Sequence, residues 1–289
     1  NPKMWDAKTR QWTPFGADYL ARLERLSGTR RLRLLEGRWV RTEGVVYEEW
    51  DRTKHMVTLD DIPPLSWPRY WAIDFGYTCP FVCLFAAIDP DGRIVIYREI
   101  YQTERLVEDH ARRILELARS EIPINERPKN GLGRATPRKV VCDHDAEGRA
   151  TLERYLGITM TPAKKDILEG IEAVKARLRI AGDGKPRLIL AWTSDGVSDK
   201  LGLDERDPNL EEAKKPIGLA EEMDCYRYAA PTLVKADAKN AKELPLDADN
   251  HSNDALRYLV AELDLRPKGG LMPRSWTQGV RGISPLRTR

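Results

Sequence analysis

Between Trp71 and Tyr101 the chain runs through three apolar segments with very short breaks between them: WAID (71–74), FVCLFAAID (81–89) and RIVIYREIY (93–101). Runs of this length, bounded by Gly, Pro and Asp, read as strands, and Asp91-Gly92 reads as the turn of a hairpin. A parallel crossover needs a dozen or more residues, which neither break provides, so the three strands form an antiparallel meander. Beyond Tyr101 the pattern changes. Leu106 to Ile122 has a helical stripe of Val107, Ala111, Ile114, Leu115 and Ala118. A fourth strand, KVVCD (139–143), follows, then a helix over 147–156, a fifth strand, ITMTPA (158–163), a helix over 167–180, a strand, RLILAW (187–192), and a closing helix at about 250–264. A meander followed by alternating strands and helices predicts an α/β fold: a mixed sheet, antiparallel then parallel, flanked by helices.

Residues 66–265 read as this one domain. The stretch before it, 1–65, is rich in Arg and Trp. It holds a short amphipathic helix (18–27), two runs that could form strands (32–40 and 44–50), and ends at Ile62-Pro63-Pro64, which reads as a linker. Residues 195–217 read as a polar loop, and 195–245 as a mobile flap. Residues 266–289 carry six Lys or Arg and no acid, a basic tail expected to be disordered.

The net charge of the whole is +3, with 32% charged and 41% hydrophobic residues, which suits a water-soluble domain. No apolar run has the roughly 18–20 residues a membrane span needs, and the opening Asn1-Pro2-Lys3 begins no secretory leader, so no membrane partner and no secretion are expected. The missing initiator Met reads as excision from a longer chain. Cys79, Cys83, Cys142 and Cys225 form no CxxC pair, and the four histidines form no HExxH, so neither a disulfide framework nor a zinc site is expected. No GxxxxGK[ST], GxSxG or strand-following GxGxxG occurs. These absences exclude a P-loop ATPase, an α/β-hydrolase and a dinucleotide enzyme on motif grounds.

What remains are acids at the ends of apolar strands. Asp74 ends the first strand and Asp143 the fourth, with Asp145 two residues on, where it would share a face with Asp143 if the strand continued. A carboxylate there is costly to desolvate unless a cation or hydrogen bonds compensate. Two on neighbouring strands would repel each other, and a hard divalent cation such as Mg²⁺ or Mn²⁺ would relieve that. On the last helix, Asp254 falls with His251 and Tyr258, off the apolar stripe of Leu256, Leu259, Val260 and Leu263. Singly, each acid is equally readable as a turn former, a helix cap or a solvated side chain.

Together, WAIDFGYT (71–78), the meander, KVVCDHDAEG (139–148) and NHSNDALRY (250–258) resemble the nuclease domain of the large terminase subunit of tailed bacteriophages. That domain has a ribonuclease H-like fold. GRWVRTEGVVYEEWD (37–51) resembles the stretch after the family's ATPase domain. The resemblance implies a DNA endonuclease that cuts concatemeric viral DNA during packaging. It implies two Mg²⁺ or Mn²⁺ ions held by Asp74, Asp143 and Asp254, with Asp145, His251 and Asp249 as further candidates. Lys164 and Lys165 are candidates to guide the DNA backbone. The implied partners are double-stranded DNA, the ATPase domain, the small terminase subunit and the portal protein, in the host cytoplasm. A chain without the ATPase motif would cut DNA but not translocate it. Three other readings stay open: a resolvase-type ribonuclease H-like nuclease, a PD-(D/E)xK nuclease through Glu212-Ala213-Lys214, and a non-catalytic module docking on portal or capsid.

Overall fold

A computed structural model describes residues 5–6, 9, 11–17, 44–164, 166–192, 201–228 and 244–265. The helix expected at 18–27, the strand expected at 32–40 and the basic tail lie outside the described residues, as does Lys165. The elements that build the site are eight strands and seven helices. The strands are β1 (Met56–Thr58), β2 (Arg69–Asp74), β3 (Phe81–Ile88), β4 (Ile94–Gln102), β5 (Lys139–Cys142), β6 (Thr161–Pro162), β7 (Leu188–Trp192) and β8 (Gly202–Leu203). The helices are α1 (Arg52–His55), α2 (Val107–Ser120), α3 (Ala146–Leu156), α4 (Ile167–Leu178), α5 (Pro208–Glu212), α6 (Leu219–Cys225) and α7 (His251–Asp264).

The strands form one sheet in the order β1-β7-β4-β3-β2-β5-β6, with β8 also paired to β4. The meander β2-β3-β4 is antiparallel, as its short connections require. β5 joins β2 in parallel, β6 joins β5, and β7 joins the other side of β4, also in parallel. The expected mixed sheet is therefore the one found. Its centre is covered on both faces, which explains why β3 is apolar throughout.

Alternation along the strands sorts side chains between two cores. Trp71, Ile73, Phe81, Cys83, Phe85, Val140 and Cys142 face α2 and α3, against Ala111, Ile114, Leu117, Leu152 and Leu156. Ala72, Val82, Leu84, Ile94, Ile96 and Leu190 face α4, α6 and α7, against Ile171, Val174, Met223, Leu256, Leu259 and Val260.

The register between β3 and β4 shifts after Phe85: Phe85 pairs with Arg98 and Ala86 with Ile96, leaving Tyr97 as an extra residue. This bulge reverses the phase of β4. Before it, even-numbered Ile94 and Ile96 face α7; after it, odd-numbered Glu99 and Tyr101 do so.

Two stretches depart from the expectations. Residues 44–50 form no strand; Val45 makes one isolated bridge to Arg227, and Val46, Tyr47 and Trp50 are buried in the α7-side core. Trp50 Nε1 donates to Asp224 at 2.9 Å, and β1 then enters the sheet beside β7. The stretch expected as linker-like thus contributes core and sheet to the same unit. Residues 201–225, expected as loop and flap, hold β8, α5 and α6, with Leu201, Leu203, Leu210, Leu219 and Met223 buried. These apolar residues have neither helical nor strand periodicity over a useful window, so sequence pattern does not reveal them.

α4 and α7 approach closely at Gly170, where an added Cβ would lie 2.4 Å from Cγ of Arg257. Alanine is intrinsically better than glycine within a helix by about 1 kcal/mol. Gly170→Ala is nevertheless expected to destabilise the fold by a net of about 1–2 kcal/mol, because Arg257 must be displaced. Thermal melting followed by circular dichroism checks this, and an unchanged or raised Tm would contradict the packing described.

Candidate active site

Asp74 is the last residue of β2, and Asp143 directly follows β5. The parallel pairing aligns Ile73 with Cys142, and the Asp143 N–H donates to the Ile73 carbonyl at 3.1 Å. The register therefore carries one residue further and sets Asp74 beside Asp143 at the carboxyl ends of neighbouring parallel strands. In open α/β sheets this is where ligands bind. Asp74 keeps phase with Ala72, and Asp143 with Val141, so both point to the side where α7 lies.

α7 crosses these strand ends. His251 Nδ1 is 3.1 Å from Asp74 Oδ2, and the Tyr258 hydroxyl donates to Asp74 Oδ1 at 3.4 Å. Asp254, one helical turn from each, belongs to the same face. The structure thus brings together the face that sequence spacing assigned to His251, Asp254 and Tyr258, and lays it against Asp74.

The electrostatics follow from this crowding. Asp74 is only 8% exposed, and burial pushes its pKa up to about 6, with Asp254 and Asp143 adding repulsion while the His251 hydrogen bond opposes the rise. Burial likewise raises Asp254, against the pull of Arg257. For His251 the largest single effect is burial, which lowers its pKa, but the hydrogen bond and charge of Asp74 outweigh it and the net shift is upward.

Arg257 is the neighbour of Asp254 that motif reading did not single out. Its Nη2 donates to Asp254 Oδ1 at 2.9 Å, and its side chain is buried along Gly170. The i, i+3 spacing of Asp254 and Arg257 was the available signal, one too common on helix surfaces to stand out.

The other expected residues fall elsewhere. Asp145 is the N-cap of α3 and accepts from the Glu147 N–H at 3.0 Å; β5 ends before it, so it does not continue the strand face of Asp143. Asp249 sits just before α7 in a left-handed conformation (φ 48°), 3.8 Å from Lys215 Nζ. Lys164 Nζ donates to the Leu265 carbonyl at 2.6 Å. This places the ammonium at the opposite end of α7 from His251, roughly 20 Å along a 14-residue helix.

Among the described residues, no group of three or more His, Cys, Asp or Glu side chains is gathered closely enough to hold a metal ion. The reason is visible in the contacts: Asp254 is turned to Arg257, and both oxygens of Asp74 are engaged by α7. The donor set itself suits a hard divalent cation. Carboxylate oxygens from two strand ends and a helix share one region, and burial leaves Asp74 short of positive charge.

No protein-family model matches the chain, and no curated protein matches it. Solved structures do. The large terminase of the thermophilic bacteriophage D6E, in complex with ADP, aligns over 86% of this chain and 52% of its own, at 18% identity and a TM-score of 0.51. The chain shares its fold with part of that large terminase. A second structure of the D6E protein aligns over 88% of this chain and 53% of its own, with the same identity and score. The nuclease domain of the P22 large terminase aligns over 75% of this chain and 90% of its own, at 12% identity and a TM-score of 0.47. The chain spans about half the length of the D6E protein. Its sheet, a three-stranded meander extended by parallel strands and flanked by helices, is ribonuclease H-like. Among the described residues, no helix is long and apolar enough to cross a membrane.

Asp74 holds its proton more tightly folded, near pH 6, than its ordinary value of 3.8. The cost of ionising it is absent below about pH 4, grows as pH rises through 4–6 and is complete above. Asp74→Asn is therefore expected to stabilise the metal-free protein at pH 7–8 by about 1–3 kcal/mol, with little gain at pH 4. Melting in EDTA at the two pH values tests this; a lower Tm at pH 8 would contradict it. The same substitution should lower the pKa of His251, read from its imidazole NMR titration.

Proposed function

We propose that this chain is the nuclease part of a large-terminase-type packaging enzyme and hydrolyses phosphodiester bonds of double-stranded DNA. What supports the reading is the parallel register that sets Asp143 beside Asp74, with His251 and Tyr258 of α7 bonded to Asp74, in a fold shared with part of a large terminase.

Asp74, Asp143 and Asp254 would hold Mg²⁺ or Mn²⁺, two ions by resemblance to the family, with His251 as a further candidate. When bound, such ions supply Lewis acidity to the attacking water and the leaving oxygen. The chain's own groups do the rest. Asp74 is a carboxylate above pH 6 and gives the site its deepest negative charge. His251 Nδ1 faces Asp74 Oδ2, which fixes the imidazole and keeps a proton-exchanging group beside that carboxylate. Tyr258 holds the other oxygen. In the reaction, water adds to phosphorus as the bond to the 3′ oxygen breaks, giving a 5′-phosphate and a 3′-hydroxyl, with the water's proton balancing the leaving oxygen. Arg257 holds Asp254 through its Oδ1, so a cation held by Asp254 would share or displace that guanidinium.

Packaging supplies the biological setting. The substrate would be concatemeric viral DNA, cut at the procapsid in the host cytoplasm, with an ATPase domain, a small terminase subunit and a portal as partners. Among the residues described, no base-reading motif is evident, so cleavage independent of sequence is expected.

Supercoiled plasmid incubated with the chain in Mn²⁺ or Mg²⁺ should be nicked and linearised, and EDTA should stop it. Asp74→Asn, Asp143→Asn and Asp254→Asn should each lower the rate on the order of 100-fold or more. Cutting that survives Asp74→Asn, or that persists in EDTA, would sink the assignment.

A further inference from the structure

Two fully buried carboxylates lie beneath the start of α7, and neither the motif nor the acid site accounts for them. Glu99 is on β4, just past the bulge that turns it toward α7. Glu222 is in α6. The first turn of any helix leaves backbone N–H groups without intrahelical partners. Here the N-cap residue, Asn250, makes no side-chain capping bond. The partners come from outside the helix. Glu222 Oε2 accepts from the Asn253 N–H at 2.9 Å, while its Oε1 accepts from the Tyr101 hydroxyl at 2.7 Å. Glu99 Oε1 accepts from the Ser252 hydroxyl, and both Glu99 oxygens accept from the Leu219 N–H at the start of α6, at 3.1 and 3.0 Å. Gly218 makes this approach possible, since a Cβ there would lie 2.9 Å from Glu99 Oε2.

Ser252 and Asn253 lie between His251 and Asp254. The two carboxyl groups therefore grip the segment of α7 that presents both side chains to Asp74. One grip comes from the central sheet and the other from α6, so the turn is fixed against translation and rotation together. We infer that Glu99 and Glu222 are positioning residues that set the first turn of α7, and so the placement of His251 and Asp254 relative to Asp74. The catalytic consequence rests on the nuclease reading above; the structural one does not.

Sites of this kind tolerate little displacement, so loss of the grip should appear in turnover rather than in DNA binding. Glu→Met keeps the side chain's length and removes its acceptors. Glu→Gln keeps an oxygen for the backbone N–H and a second polar atom for the hydroxyl of Ser252 or Tyr101. In the plasmid-nicking assay, Glu99→Met and Glu222→Met should lower kcat by about tenfold or more with KM for DNA unchanged, and the Gln variants should stay within about threefold of the parent. Met variants that melt cooperatively and keep the parent kcat would overturn the inference, as would Gln variants as impaired as the Met ones. If the Met variants do not fold, Ser252→Ala decides. It removes only one donor to Glu99 and favours helix, so it should lower kcat severalfold at an unchanged Tm; full activity would refute the positioning role. If the parent cuts no DNA, the nuclease reading fails on its own. The positioning role is then read from backbone amide NMR, where Glu222→Met or Ser252→Ala should shift the signals of residues 251–254 selectively. Unshifted signals there would overturn it.

Discussion

The carboxylate of Asp74 lies where water is largely excluded, and its neighbours are arranged around the cost of that position. Desolvation raises its pKa, and the charges of Asp254 and Asp143 raise it further. Against this stand one imidazole and one phenol, both delivered by α7. The placement of α7 over the ends of β2 and β5 therefore decides whether three acids form a site or three unrelated side chains. A carboxylate held this way is costly to the fold, and on the nuclease reading proposed above a cation would relieve that cost.

That placement is enforced by features remote from the acids. The bulge at Tyr97 reverses the phase of β4 and presents Glu99 to the helix. Gly170 lets α4 accept the side chain of Arg257, and Arg257 in turn reaches Asp254. Each is a one-residue decision with a large geometric result. One residue more or less in a strand exchanges the two faces of the sheet, and one methyl group on α4 would occupy the space of the buried aliphatic stem of Arg257.

Much of the architecture was legible in the order of apolar runs. The meander was forced by connections too short for a crossover, and the elements after it emerged within a few residues of the expected bounds. Asp74 and Asp143 were legible because each terminates an apolar run, and the shared face of His251, Asp254 and Tyr258 followed from helical spacing. Residues 44–58 and 201–225 were not legible. Their buried side chains, such as Tyr47, Trp50, Leu210 and Met223, are gathered from irregular segments whose burial depends on surfaces made elsewhere in the chain. Lys164 shows a contact that local pattern does not reveal: its ammonium donates to the Leu265 carbonyl, at the far end of α7 from His251.

The sequence by itself determined the class of sheet, the strand ends that carry acids and the helix face that carries Asp254. These depend on local periodicity and chain length, which act between near neighbours. Only the tertiary structure decided which acids meet, that Asp145 is used as a helix cap, that Arg257 holds Asp254, and that Glu99 and Glu222 lie beneath α7. Those outcomes depend on strand register and interhelical packing between residues far apart in the chain. A shift of a single residue there changes every contact, yet leaves the local pattern of hydrophobic and polar residues unaltered.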